Sequence, residues 1–108
     1  MKNKKNKEVY FLGVSGCYYP FKYFSLRDEF PEAAAVYIFA RSENGNNEPL
    51  YIGETGTLRS TIRDHEKWIC VCRMSANALY VHFEEDAAVR RQIVDNLIKA
   101  QHPPCNDL

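Results

Sequence analysis

A chain of 108 residues that is 45% hydrophobic can build one compact domain with a small core, and is too short for a second. Fourteen basic and fourteen acidic residues cancel, so no net field draws the molecule toward a polyanion or an anionic membrane, and any such binding must be local. No stretch approaches the roughly twenty apolar residues that a membrane-spanning helix needs.

The chain opens on MKNKKNKEVYFLGVSGC. Residues 1–8 read as a solvated basic arm carrying Lys2, Lys4, Lys5 and Lys7. The apolar run after Glu8 is short, and the small residues before Cys17 only loosely imitate a lipoprotein cleavage site, so the arm is preferred to an export signal. Val9 to Val14 and Pro20 to Leu26 are aromatic and β-branched around a Ser-Gly turn signal, which predicts a hairpin over 9–26. Tyr19, Phe21 and Tyr23 share one face of its second strand, a pattern that serves packing more often than base stacking. Arg27 to Pro31 predicts a turn or short helical connection. Then AAAVYIFAR, SENGNNE and PLYIG predict a strand, a loop and a strand. Thr57 to Trp68 predicts a helix with Leu58, Ile62 and Ile69 at helical spacing and Thr57 as N-cap. ALYVHFE, Ala78 to Glu84, alternates like a strand. Asp86 caps a last helix that runs to Gln101 and is stopped by Pro103 and Pro104. The order implies an α+β fold: a small antiparallel sheet flanked by helices, with the N-terminal hairpin inside a single domain over 9–108.

Cys17, Cys70, Cys72 and Cys105 are too few and too irregular for a disulfide scaffold, so reduced thiols and a cytoplasmic location are expected. His65, Cys70 and Cys72, with His102 or Cys105, are chemically able to bind zinc, but the paired C-x-x-C spacing is missing. His82 reads as a surface or hydrogen-bonded strand histidine. Arg59, Arg63 and Lys67 recur every four residues as a basic stripe, either a solvated helix face or a set of phosphate contacts.

From about residue 35 to 106 the chain resembles the GIY-YIG nuclease superfamily. Ala35-Val36-Tyr37 stands where the first motif falls, Tyr51-Ile52-Gly53 matches the second, His65 follows on the first helix, and LIKAQHPPCN resembles the closing pattern that ends in Asn106. The resemblance implies hydrolysis of nucleic-acid phosphodiesters. A tyrosine takes the proton of the attacking water, a helical arginine stabilises the transition state, and a glutamate on the last helix holds a divalent metal. By this resemblance Tyr37, Tyr51, His65 and Asn106 are the candidate catalytic remnants. The arginine position, eight residues after Gly53, holds Thr61, and the glutamate position, three before Leu97, holds Val94. Arg59 and Arg63 lie about 200° around the helix from Thr61 and do not replace it.

The expectation is therefore a nuclease-like domain with an eroded site, associated with DNA or RNA and cleaving weakly or not at all. The alternatives are an active endonuclease with relocated groups, using Mg2+ or Mn2+, and a small module that binds a protein partner. No membrane partner is expected, and the oligomeric state is open.

Overall fold

In the computed structural model, which describes residues 8–107, the chain runs β1 (Glu8–Leu12), β2 (Tyr18–Ser25), β3 (Ala35–Glu43), β4 (Asn46–Thr55), α1 (Leu58–Arg63), α2 (Trp68–Arg73), β5 (Ala78–Phe83), α3 (Ala87–Gln101) and a 3-10 turn over Pro104–Asn106. The lysines expected to form a basic arm lie outside the described residues, and Glu8 already belongs to β1. One five-stranded sheet has the order β1-β2-β5-β3-β4, every neighbouring pair antiparallel. The α+β expectation holds. The N-terminal hairpin extends the sheet through β2 and β5.

Alternation along β3 divides the core in two. Ala35, Tyr37 and Phe39 pack with Leu58 and Ile62 of α1 and Val71 of α2. Val36, Ile38 and Ala40 pack with Ile93 and Leu97 of α3 on the opposite face. The β3–β4 register slips between Phe39 and Ala40, which pair with Tyr51 and Pro49 and leave Leu50 as the extra residue of a bulge. Leu50 and Tyr51 consequently both join the α1-side core. The bulge is what puts Tyr51 on the same face as Tyr37.

Phe21 is fully buried, with Tyr19 and Tyr23 packed around the same α3-side cluster, as their shared face implied. The hairpin turn is tied to α3. Val14 N–H donates to the Asn96 carbonyl at 3.1 Å, and Gln101 donates to the Leu12 carbonyl at 2.8 Å. Asp86 caps α3 as expected, accepting from the Ala88 and Val89 amides.

Several local expectations are corrected. The glycine- and asparagine-rich stretch is a tight turn, because Asn44 and Gly45 take positive φ of 54° and 83° and let the strands run almost to each other. Thr57 sits at the N-cap of α1 but its side chain does not cap. The Glu32 carboxylate does so from the preceding loop, accepting from the Ser60 amide at 2.9 Å and from its hydroxyl. The helix expected over Thr57 to Trp68 is broken: α1 ends at Arg63, and α2 begins at Trp68. The intervening turn wraps the His65 ring, whose Nδ1 accepts the Lys67 amide at 3.0 Å. Ile69, expected on the apolar face, is exposed because it belongs to α2 rather than to the first helix. Cys70 and Cys105, expected as reduced thiols, form a disulfide between α2 and the C-terminal turn, while Cys17 and Cys72 are free and exposed. Spacing along the chain gave no sign of the pair, since 35 residues separate cysteines that only the fold brings together. Among the described residues no helix is long and apolar enough to cross a membrane.

Candidate functional site: a tyrosine-histidine pocket beside α1

Three rings converge where the β3–β4 edge meets the end of α1. The Tyr37 and Tyr51 centroids are 6.2 Å apart, and His65 lies 5.5 Å from Tyr37 and 5.0 Å from Tyr51. Tyr37 is directly opposite Gly53 in the ladder. A Cβ on Gly53 would stand 2.7 Å from the Tyr37 hydroxyl and 2.9 Å from the Tyr51 ring, so glycine is what lets the phenol lean across β4.

The polarity of this cluster follows from one backbone contact. Because His65 Nδ1 accepts the Lys67 N–H, the neutral ring carries its proton on Nε2 and donates it to the Tyr37 hydroxyl at 2.7 Å. Tyr37 therefore keeps its own proton, with the Tyr51 ring beside it at 6.2 Å between centroids. The relay therefore points outward, from the Lys67 amide through His65 to the Tyr37 hydroxyl. Burial pushes the Tyr37 phenol far above its ordinary value, and the neighbouring Tyr51 adds to the shift. Burial also raises Tyr51, the Glu66 charge reinforces this, and the neighbouring Tyr37 hydroxyl opposes it. Burial holds His65 below its ordinary value, against the pull of Glu66.

Such a relay is poorly suited to take a proton from water. A general base works best with a pKa near the operating pH, whereas both phenols are shifted away from neutrality. His65 has no spare acceptor, since one nitrogen receives the Lys67 amide and the other donates to Tyr37.

The pocket in front of the rings has a volume of about 370 Å³ and is lined by Tyr37, Tyr51, Glu54, Ser60, Thr61, Asp64, His65 and Glu66. None of these is Lys or Arg. Thr61 lies here, as its alignment with the absent arginine implied, and its hydroxyl bonds that of Thr55 at 2.6 Å. Glu54 ion-pairs with Arg90 Nε at 2.7 Å; that guanidinium is almost buried and also donates to the Glu84 and Glu85 carbonyls. Glu54 and Arg90 were missed by sequence reasoning. Glu54 directly follows the Tyr51-Ile52-Gly53 motif, which was the available signal, but nothing along the chain pairs it with a helical residue 36 positions away.

Asn106 is outside this pocket. Its amide brackets β4, accepting from Ile52 N–H at 2.8 Å and donating to Ile52 C=O at 2.9 Å, as a neighbouring strand would. It positions the residue beside Tyr51 and touches no reacting group. His82 Nδ1 donates to the Pro20 carbonyl at 2.8 Å, a strand contact of the kind expected.

A divalent metal does not fit these residues. Val94 packs against the α3-side core on the sheet face opposite Tyr37, and among the described residues no three His, Cys, Asp or Glu side chains converge as ligands.

The basic stripe is divided. Arg59 and Arg63 line a separate groove of about 380 Å³ on the other flank of α1, together with Leu26, Asp28, Glu29, Phe30, Ile62 and Trp68. Lys67 lies at the N-cap of α2 and is not in that groove.

No protein-family model matches the chain, and comparison with curated proteins and with solved structures likewise returns no match. The family resemblance rests on the motif residues and their spacing.

Proposed function

We propose that the chain is a nuclease-like domain of the GIY-YIG kind whose hydrolytic site has eroded, and that its remaining role is contact with DNA or RNA along the Arg59–Arg63 flank of α1. The observation that carries the first half is the outward polarity of the relay. A buried and a half-buried phenol and a locked histidine hold protons where hydrolysis needs a base, and among the described residues no Lys or Arg lines the pocket where a phosphorane-like charge would develop. The nucleic-acid half is supported by two guanidiniums that share a groove with the rings of Phe30 and Trp68. Trp68 already donates its indole N–H to the Ile62 carbonyl at 2.8 Å, so its ring is held in place and offers contact area rather than a donor. A cytoplasmic home, read from the cysteine spacing, requires the Cys70–Cys105 bond to survive a reducing milieu; Cys105 is fully buried, which favours its persistence.

Two measurements test this. Incubation with DNA and RNA in Mg2+ or Mn2+ is expected to give no cleavage above background; cleavage abolished by Tyr51→Phe would establish the active-endonuclease reading instead. Fluorescence anisotropy across a salt series is expected to show binding that weakens with salt, with Arg59→Ala/Arg63→Ala flattening the log-log slope by about two phosphates' worth. Absence of binding at low salt would leave a protein-interaction role. That second reading has its own support in the exposed Tyr10, Leu12 and Tyr18 on the outer face of the hairpin.

A further inference from the structure

The helix α2 is too short to hold itself together. At six residues it has almost no stability of its own, and no side chain caps its N-terminus. Val71 anchors it in the α1-side core, the Trp68 indole donates to the Ile62 carbonyl at 2.8 Å, and Cys70 is joined to Cys105. The turn at the other end of that bond, Pro104–Asn106, is equally dependent: Asn106 brackets Ile52 of β4, and Cys105 is fully buried in the same core as Val71. The bond thus joins two short segments that flank β5 and α3 in the chain. Each segment supports a different site. Trp68 walls the Arg59–Arg63 groove, and Asn106 holds the strand beside Tyr51.

Access to the bond is one-sided. Cys70 is partly exposed and Cys105 is not, so an external thiolate approaches from Cys70. The exposed Cys72 lies about 200° around α2 from Cys70, so it does not exchange with the bond while the helix is intact.

We propose that Cys70–Cys105 is a thiol-operated latch, which a small-molecule thiol such as glutathione opens to free α2 and the C-terminal turn while the sheet and α3 stay folded. A thiolate attacks Cys70 Sγ, the Sγ–Sγ bond breaks, and Cys105 leaves as a thiolate that takes up a proton. A second thiol displaces the mixed disulfide, so two small thiols are oxidised to one disulfide and the protein gains two thiols. Opening removes the Trp68 wall of the groove. That consequence for ligand binding rests on the nucleic-acid reading of the groove, whereas the latch itself does not.

The test is 15N relaxation of the full chain in oxidised and in reduced glutathione, with free thiols counted by alkylation and mass: two when the latch is closed and four when it is open. On opening, the order parameters of Trp68–Arg73, Cys105 and Asn106 are expected to fall from about 0.85 to below about 0.6, while those of β3 and α3 hold. Reoxidation should restore them. Cys105→Ala should give the open values without reductant, with Cys70→Ser at the partly exposed end as the second variant should the first not fold. Cys17→Ser/Cys72→Ser should switch as the parent does. Anisotropy with labelled nucleic acid should show affinity weakened about fivefold on opening, the loss of one ring contact. No binding in either state would remove the groove reading and leave the latch to stand on the relaxation result; equal binding in both would overturn its hold on the groove. Segments that stay rigid with four free thiols, a bond that stays closed in millimolar glutathione, or loss of amide dispersion throughout the chain on reduction, which marks a staple of the whole fold, would each overturn the latch.

Discussion

The two flanks of α1 differ in how their charges are held. On one side, Tyr37, His65, Glu54 and Arg90 are wired into the fold by hydrogen bonds of 2.7 Å. On the other, Arg59 and Arg63 are exposed side chains over a shallow groove. The helix itself explains the division: Leu58 and Ile62 face the core, so residues one ahead of each fall on one flank and Thr61 on the other. Chemistry placed on the wired flank is inseparable from stability. Chemistry on the exposed flank can change at little cost to the fold.

If that contrast is right, the largest loss follows Arg90→Met. The substitution removes the partner of Glu54 and the donors to the Glu84 and Glu85 carbonyls. Since Glu54 keeps some access to water, the expected destabilisation is about 3 kcal/mol, at the lower end for a broken buried pair. Urea unfolding measures it, and a loss below about 1 kcal/mol would mean that the wired flank is not held by this pair.

Gly53→Ala comes next, at about 2 kcal/mol, the range of a core overpacked by one methyl. The added carbon meets the Tyr37 hydroxyl and the Tyr51 ring, so the relay should be displaced together with the stability. An unchanged Tyr37 environment in the aromatic NMR spectrum would show that the phenol can swing clear.

Thr61→Arg is expected to cost about 1 kcal/mol through loss of its hydrogen bond to Thr55. It also adds a cation to the acidic pocket, and phosphate affinity there should rise. Cleavage should not follow. Adding Val94→Glu does not supply the missing metal ligand, because that side chain packs into the α3-side core on the opposite sheet face from Tyr37; the double variant should be less stable and still inactive.

These cases show what the sequence could and could not carry. Periodicity located the β strands and α3, because β3 alternates and α3 keeps one apolar stripe over 15 residues. It failed where a side chain overrides the backbone pattern: His65 draws the Lys67 amide out of the helical ladder, so one expected helix becomes two and Lys67 leaves the stripe of Arg59 and Arg63. The motif spacing brought Tyr37, Tyr51 and His65 together correctly. It also suggested a catalytic Asn106, whose role is to bracket the edge of β4. Long-range pairings such as Cys70 with Cys105 and Glu54 with Arg90 depend on how the sheet closes against its helices, which local pattern does not encode.

A smaller, pH-dependent effect is expected from His65. Its pKa in the fold is held below the ordinary 6.5, so folding favours the neutral ring. In the unfolded chain the ring protonates first as the pH falls. The stability it contributes is therefore present above about 6.5 and is lost as the pH drops through the lower folded value. Tyr37 has the opposite dependence: its raised phenol contributes stability that is present below its ordinary value of 10 and is lost at higher pH. Urea midpoints should fall between pH 7.5 and 5, and His65→Gln should flatten that dependence. A variant with the parent's full acid dependence would move the cause to other groups.

The smallest effect on folding is expected on the exposed flank. Arg59 and Arg63 are surface side chains, and the nearby Glu32 carboxylate has its pKa lowered chiefly by its hydrogen bonds to Ser60 and only secondarily by the Arg59 charge. Replacing both by alanine retains good helix formers and leaves the Glu32 cap of α1 in place. The double variant should unfold within about 0.5 kcal/mol of the parent. The same substitution is expected to remove the salt-dependent part of nucleic-acid binding, so stability and binding should separate cleanly in one protein. If the melting transition drops as far as it does for Gly53→Ala, the two arginines are structural after all, the flanks are alike, and the case for nucleic-acid contact along this groove disappears with the contrast that suggested it.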